Sequence, residues 1–143
     1  MNRINVASEA VKITVNDAGE TITLNLQDQR FIHTVTALVN EFNENIQQYK
    51  AKCEEISAMP HSTSDERFAQ LTALAAVNNE ACSILKEKVD FVFGADTCRK
   101  VFGDIVPSID AFSDFFNQLS DIMAERCSVR MEKLRQYTEK YNA

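Results

Sequence analysis

The chain has 143 residues, of which 45% are apolar and 25% charged, and its net charge is −6 at neutral pH. We expect a chain of this length to form one domain, residues 1–143, and to bury a core without a metal ion or a disulfide. With only three glycines and two prolines, it favours long helices over a loop-rich β-sandwich or low-complexity disorder. The acidic net charge disfavours nucleic-acid binding. We recognise neither an apolar run long enough to span a membrane nor a signal peptide, so we expect a cytoplasmic protein.

The first 27 residues contain two short runs in which apolar and polar residues alternate. The apolar positions are Val11, Ile13, Val15, Ile22, Leu24 and Leu26. Alternation with a period of two is typical of a half-buried strand, and turn-forming residues 16–20 separate the runs, which predicts a β-hairpin. Because an isolated hairpin is marginal in water, its apolar face must cover helices or its strands must pair with another chain.

Residues 28–123 form a predicted helical body, because their apolar residues recur at steps of three and four. The first long helix begins after the N-cap residue Asp28 and ends near residue 58. The second begins at Thr63, which together with Glu66 has the spacing of a capping box. The seam of this second helix is Phe68, Leu71, Ala75, Asn78, Cys82, Leu85, Val89 and Val92. Its polar member, Asn78, either finds a partner inside the domain or fixes an oligomeric state.

Two Phe-Gly pairs, at residues 93–94 and 102–103, mark the ends of helices. Glycine just after a helix takes the left-handed conformation that ends it, so the pairs enclose a short capped helix. The last long helix follows Ser108, and its seam runs on to the C-terminus. That seam is Ile109, Phe112, Phe116, Leu119, Met123, Cys127, Arg130, Leu134, Tyr137 and Tyr141. The sequence therefore predicts an α+β fold, an N-terminal β-hairpin followed by a mainly α-helical bundle of three long helices and one short helix.

The C-terminal extension, residues 124–143, has a net charge of +2, whereas the preceding residues have a net charge of −8. Its acidic and basic residues each repeat every seven positions, which places two charged stripes beside the seam. A solvated helix with intrahelical ion pairs would have this pattern, and so would a helix that docks a partner. For docking, the predicted partner-binding residues are Arg130, Leu134, Tyr137 and Tyr141. Tyr and Arg are residue types enriched at binding hot spots.

The sequence contains no recognisable catalytic, cofactor-binding or metal-ligating motif, so we expect no enzyme, no cofactor and no metal. The cysteines are Cys53, Cys82, Cys98 and Cys127. They include no C-x-x-C pair, and the spacing ties neither histidine to a cysteine. In a reducing cell, such cysteines act as small buried apolar residues.

The stretch from Val89 to Asp104, VDFVFGADTCRKVFGD, resembles a pattern in small tail proteins of phages and prophages of Gram-positive bacteria. Those proteins show an apolar helix end, a Phe-Gly stop, a short helix closing in Phe or Phe-Gly, and a helix that opens with paired aromatics. Here Phe115 and Phe116 stand in that last helix, and the charged end at residues 135–141 is similar to theirs. The resemblance covers residues 85–141 and does not include the hairpin.

Proteins of this kind are assigned as tail assembly chaperones, so the resemblance implies a non-enzymatic role in tail morphogenesis inside the bacterial host cell. The implied partners are phage tail proteins: the chaperone would coat apolar helical stretches of the tape measure protein until tail tube subunits polymerise around it. One alternative is a structural virion component, a tail terminator or connector subunit, whose hairpin joins a ring by strand pairing. Another is a small hydrolase or redox enzyme that uses one cysteine. A homo-oligomer is compatible with each of these functions.

Overall fold

The computed structural model describes residues 2–8 and 10–142, with side chains described as far as residue 136. The elements in chain order are β1 Ala10–Thr14, β2 Thr21–Asn25, α1 Gln29–Ser57, α2 Ser64–Phe93, α3 Thr97–Phe102 and α4 Ile109–Asn142. The predicted α+β fold is confirmed, because an antiparallel hairpin precedes three long helices and one short helix. The chain forms two compact units, Met1–Ser108 and Ile109–Ala143. The boundary predicted between residues 123 and 124 falls inside the second unit, and the single domain stays a prediction.

The N-terminal hairpin pairs β1 with β2 in a register that matches the alternating sequence pattern. Val11 lies opposite Leu24, and Ile13 lies opposite Ile22, so apolar side chains meet across the two strands. Gly19 in the connecting turn has a φ of 80°, a left-handed conformation that glycine adopts without steric cost. The hairpin predicted from period-two alternation is confirmed.

The apolar face of the hairpin is buried mainly through its second strand. Ile22, Leu24 and Leu26 are buried, whereas the apolar residues of β1 are half-buried. β2 contacts α2, so this helix lies against the hairpin. Of the two predicted ways to stabilise the hairpin, cover by a helix is therefore observed, and strand pairing with another chain stays a prediction.

Local capping sets the starts of the two longest helices of the first unit. The Asp28 side chain accepts a hydrogen bond from the Arg30 backbone N–H at 3.0 Å, as an N-cap residue does. At the start of α2, the Thr63 hydroxyl accepts from the Glu66 N–H, and the Glu66 carboxylate accepts from the Thr63 N–H, both at 3.1 Å. The N-cap and the capping box predicted from the sequence are therefore confirmed.

The packing between α1 and α2 explains the polar residue in the α2 seam. Val35, Leu38 and Phe42 are the buried positions in the first half of α1. The Tyr49 hydroxyl on α1 donates a hydrogen bond to the side-chain oxygen of Asn78 on α2. Asn78 therefore has its partner inside the first unit. This agrees with the prediction that it finds a partner within the domain.

The seam of α2 continues beyond the part of the helix that is covered. Phe68 is 70% exposed and Leu71 is also exposed, although both lie on the same helical face as the buried Cys82 and Val89. The sequence period identifies this face correctly, but the N-terminal end of α2 lies beyond the cover that buries Cys82 and Val89.

The N-terminal cap of the short helix α3 comes from a residue of α2. Asp96, the residue at its N-cap position, makes no side-chain capping hydrogen bond. Instead, the Asp90 carboxylate near the end of α2 accepts a hydrogen bond from the Cys98 N–H at 2.8 Å. Gly94 between the two helices has a φ of 126°, and its N–H donates to the Asp90 carbonyl oxygen at 2.9 Å. The predicted Phe-Gly stop is confirmed at Gly94, and the cap comes from the preceding helix.

Polar contacts attach α3 to the hairpin turn. The Asn16 side-chain amide donates to the Lys100 carbonyl oxygen at 3.1 Å, and Lys100 Nζ donates to the Thr21 carbonyl oxygen at 3.3 Å. Arg99 forms a 3.0 Å ion pair with Glu20. The hydrogen bond from Arg99 lowers the pKa of the Glu20 carboxyl, and a hydrogen bond from Asn16 lowers it further. These contacts fix the position of the turn relative to α3.

The helix α4 of the second unit has a buried stripe in its first half. Phe112, Phe116, Leu119 and Met123 are buried. Their spacing of four, three and four residues places them on one helical face. The rings of Phe112 and Phe116 are stacked with centroids 6.4 Å apart.

We expect Leu24→Ala to lower the free energy of unfolding by about 2–5 kcal/mol, because it leaves a cavity at a fully buried site on the hairpin. Urea denaturation followed by circular dichroism measures the change. Thr23→Ala on the exposed face of the same strand is the control and should change the free energy by less than about 0.5 kcal/mol. Equal effects of the two substitutions would contradict a stabilising role for the apolar face.

We expect Asp90→Ala to cost about 1–2 kcal/mol of stability, because it removes the cap of α3 and leaves the Cys98 N–H without that acceptor. Asp96→Ala is the matched control, since Asp96 makes no capping bond and only a 3.9 Å surface ion pair with Arg99. It should change stability by about 0.5 kcal/mol or less. Amide hydrogen exchange in α3 localises the effect. Faster exchange in the Asp96 variant than in the Asp90 variant would contradict the assigned cap.

Candidate interaction surfaces

The C-terminal segment, which we define as residues 124–136, exposes apolar side chains on a charged helix. Met131 is 65% exposed, Leu134 is 50% exposed, and Val129 is exposed as well. Of the four predicted partner-binding residues, Arg130 is half-buried and Leu134 is exposed. The side chains of the other two, Tyr137 and Tyr141, lie outside the described residues.

An intrahelical ion pair is present in this segment. Arg135 Nε and Glu132 Oε2 lie 3.1 Å apart, and the Arg135 hydrogen bond lowers the pKa of the Glu132 carboxyl. This pair fits the alternative of a solvated terminal helix. The exposed Met131 and Leu134 fit the alternative of a docking helix, and docking stays a prediction.

The cysteines occupy three different environments. Cys82 and Cys98 are buried, Cys53 is half-buried, and Cys127 is exposed. The prediction of buried cysteines is therefore wrong for Cys127. The reason is that the buried stripe of α4 ends at Met123, one turn earlier, although the sequence period continues.

Cys98 is the most strongly perturbed thiol among the described residues. Burial raises its pKa to about 12, and the nearby Asp90 carboxylate contributes to the rise. The Cys98 Sγ lies 3.7 Å from the Lys86 carbonyl oxygen, which accepts a weak hydrogen bond from the thiol. A thiol with this pKa stays protonated at neutral pH, whereas a nucleophilic cysteine needs a lowered pKa.

A surface groove between α1 and α2 was not predicted from the sequence. We call it the α1–α2 groove, and its volume is about 450 Å³. Its lining includes Leu38, Glu41, Glu87, Lys88, Phe91 and Val92. Phe91 is 88% exposed, which is unusual for a large aromatic side chain, and Lys88 forms an ion pair with Glu41. The groove is mostly apolar, with charges at its rim.

One sequence signal could have indicated this groove. Ile84 and Phe91 are seven residues apart and lie on the side of α2 opposite the seam, so the helix has two apolar faces. Glu80 and Glu87 repeat with the same spacing beside them. The seam has more apolar residues than the second face, so the sequence pattern predicts a role for the seam and none for the second face.

The described part of the chain contains neither a cluster of metal-ligating side chains nor a membrane-spanning helix. Within residues 2–8 and 10–136, no three His, Cys, Asp or Glu side chains cluster as a metal site requires. In the same part of the chain, none of the helices combines the length and the apolar character that a membrane span requires.

We expect thiol alkylation at pH 8 to modify Cys127 first and Cys98 last. Cys127 is exposed, whereas a pKa of about 12 leaves only about one Cys98 thiol in ten thousand ionised. Iodoacetamide labelling followed by peptide mass spectrometry measures the order. Cys127→Ser is the control, which should remove the fast phase and leave the slow phases unchanged. Rapid labelling of Cys98 in the folded protein would contradict its assigned environment.

Comparison with known proteins places this chain in one family. No curated protein and no solved structure matches it. One protein-family profile matches residues 18–143, which include β2 and all four helices but not β1. Because that match spans most of the chain, the protein belongs to the family described as Family of unknown function (DUF6673).

Proposed function

We propose that this protein is a non-enzymatic tail morphogenesis protein of a phage or prophage, a tail assembly chaperone that binds the tape measure protein in the cytoplasm of the host. The observation that carries the proposal is the exposure of Met131, Leu134 and Val129 on the charged C-terminal segment. Met131 and Leu134 lie on one helical face. Such an exposed apolar stripe between charges suits a partner helix, which buries the stripe and leaves the charges in water.

The resemblance in residues 85–141 supplies the identity of the partner. It includes both Phe-Gly stops and the C-terminal segment, so the exposed stripe lies inside the region that resembles tail assembly chaperones. A chaperone of this kind has to hold apolar helices of a long protein and release them to tail tube subunits. A weak contact made by a few exposed side chains allows that release.

The second candidate is a structural virion component, a tail terminator or connector subunit. The observation in its favour is at the N-terminus, where residues 2–8 lie outside any strand and expose Ile4 and Val6. Among the described residues the sheet has two strands, so each strand presents one unpaired edge. Strand addition between protomers at such an edge would build a ring.

We expect Leu134→Ala with Tyr137→Ala to weaken capture of the co-expressed tape measure protein by at least about 2 kcal/mol, or about thirty-fold in affinity. The melting temperature should change by less than about two degrees, because Leu134 is exposed. Pull-down with a tape measure protein from the same genome, followed by calorimetric titration, measures the affinity.

Ile105→Ala with Val106→Ala is the matched control, since both residues are exposed and apolar but lie outside α4. This variant should bind as the wild type does. A fall of roughly ten degrees in the melting temperature of the Leu134 variant would identify its seam as core and contradict the proposed surface. No capture of the tape measure protein by the wild type would reject the chaperone function.

A further inference from the structure

The α1–α2 groove has the apolar character of a docking site. Phe91 presents almost its whole ring to solvent, and Ile84, one heptad earlier, is exposed on the same face of α2. Exposed aromatic side chains that stand beside an open groove mark interaction sites, because burying such a ring on binding is favourable.

The charges around the groove determine which kind of helix fits. Glu41 and Glu87 line it, and Glu44 and Glu80 are exposed one or two turns away on the same two helices. The one basic lining residue, Lys88, is paired with Glu41. The whole first unit carries a net charge of −5. The groove therefore favours a helix with basic residues beside its apolar stripe.

This chain itself contains such a helix. The C-terminal segment has four basic and two acidic residues, and its Met131 and Leu134 lie three residues apart on one helical face. The two surfaces are thus complementary in both respects, one acidic with an exposed ring and the other basic with exposed aliphatic side chains.

We infer that the C-terminal segment of one copy docks in the α1–α2 groove of a second copy, with Met131 and Leu134 against Phe91. The contact joins two different surfaces, so a pair of copies keeps the groove of one copy and the segment of the other available for further copies, which leads to open chains or rings. Under the proposed function, the segment cannot hold a second copy and the tape measure protein at once, so partner binding would dissociate the assembly.

A single helix in a groove buries little area, so we expect a dissociation constant in the range of about 1–100 µM. The contact is also partly electrostatic, and raising the salt concentration from about 0.05 M to 0.5 M should weaken it several-fold. Sedimentation velocity of the full chain across this concentration range measures both effects. A wild type that stays monomeric at several hundred micromolar would overturn the inference.

Two variants test the pairing of the surfaces. Phe91→Asp should disable the groove, and Met131→Asp with Leu134→Asp should disable the segment, each weakening self-association at least about tenfold. Because the two variants keep opposite halves of the contact intact, their mixture should form a one-to-one heterodimer and no larger species. Self-association of either variant at wild-type strength, or a mixture that stays monomeric, would overturn the inference.

Phe68→Asp is the matched control, because Phe68 is an exposed aromatic residue of the same helix outside the groove. It should self-associate as the wild type does, and circular dichroism verifies the fold of every variant. A synthetic peptide of residues 124–143 gives a second measurement that needs no variant. It should dissociate the wild-type assembly, whereas a peptide with its Lys and Arg residues replaced by Glu should not.

An assembly that resists the basic peptide would overturn the inference. The inference would also be overturned if the groove were occupied by the segment at every protein concentration while the protein stayed monomeric. The segment would then bind within its own chain. The proposed function is measured separately by capture of the tape measure protein, so either proposal can fail while the other stands.

Discussion

The first unit depends on burial of the apolar face that β2 presents. A two-stranded sheet cannot bury a face by itself, so Ile22, Leu24 and Leu26 require helices to cover them. The polar contacts between the turn and α3 have a different role. The Glu20–Arg99 pair is exposed, and exposed ion pairs contribute little to stability, so these contacts orient the hairpin while apolar burial stabilises it. The family match begins at residue 18 and includes β2, the strand that carries the buried residues.

The short helix α3 follows from the same constraint. Six residues do not form a stable helix alone in water, so α3 depends on contacts from outside it. Its first two residues, Thr97 and Cys98, are buried, and Asp90 supplies the cap that its own N-cap residue does not. The same carboxylate contributes to the high pKa of Cys98. One side chain thus joins α2 to α3, and α3 in turn contacts the hairpin turn.

Most of the fold could be predicted because its signals are local in the sequence. The capping box of Thr63 and Glu66 needs only a spacing of three residues, and the stop at Gly94 needs only a left-handed conformation. Exposure was harder to predict. A period identifies the apolar face of a helix but not how far other elements cover that face. The exposure of Phe68 and Cys127 could therefore not be predicted from the period. The cap from Asp90 acts across eight residues and the turn after Gly94, and no local rule identifies it.

The two exposed apolar surfaces of the chain carry opposite charge, since the α1–α2 groove is acidic and the C-terminal segment is basic. Exposed apolar stripes promote non-specific association unless nearby charges select the partner. Two α1–α2 grooves repel each other because both are acidic, and two C-terminal segments repel each other because both are basic. Groove-to-segment contact is the combination that brings opposite charges together, so charge selects a contact between unlike surfaces over pairing of like surfaces. The same selection applies to any foreign helix, because acidic residues beside its stripe would be repelled by the groove, whereas basic residues would be attracted to it.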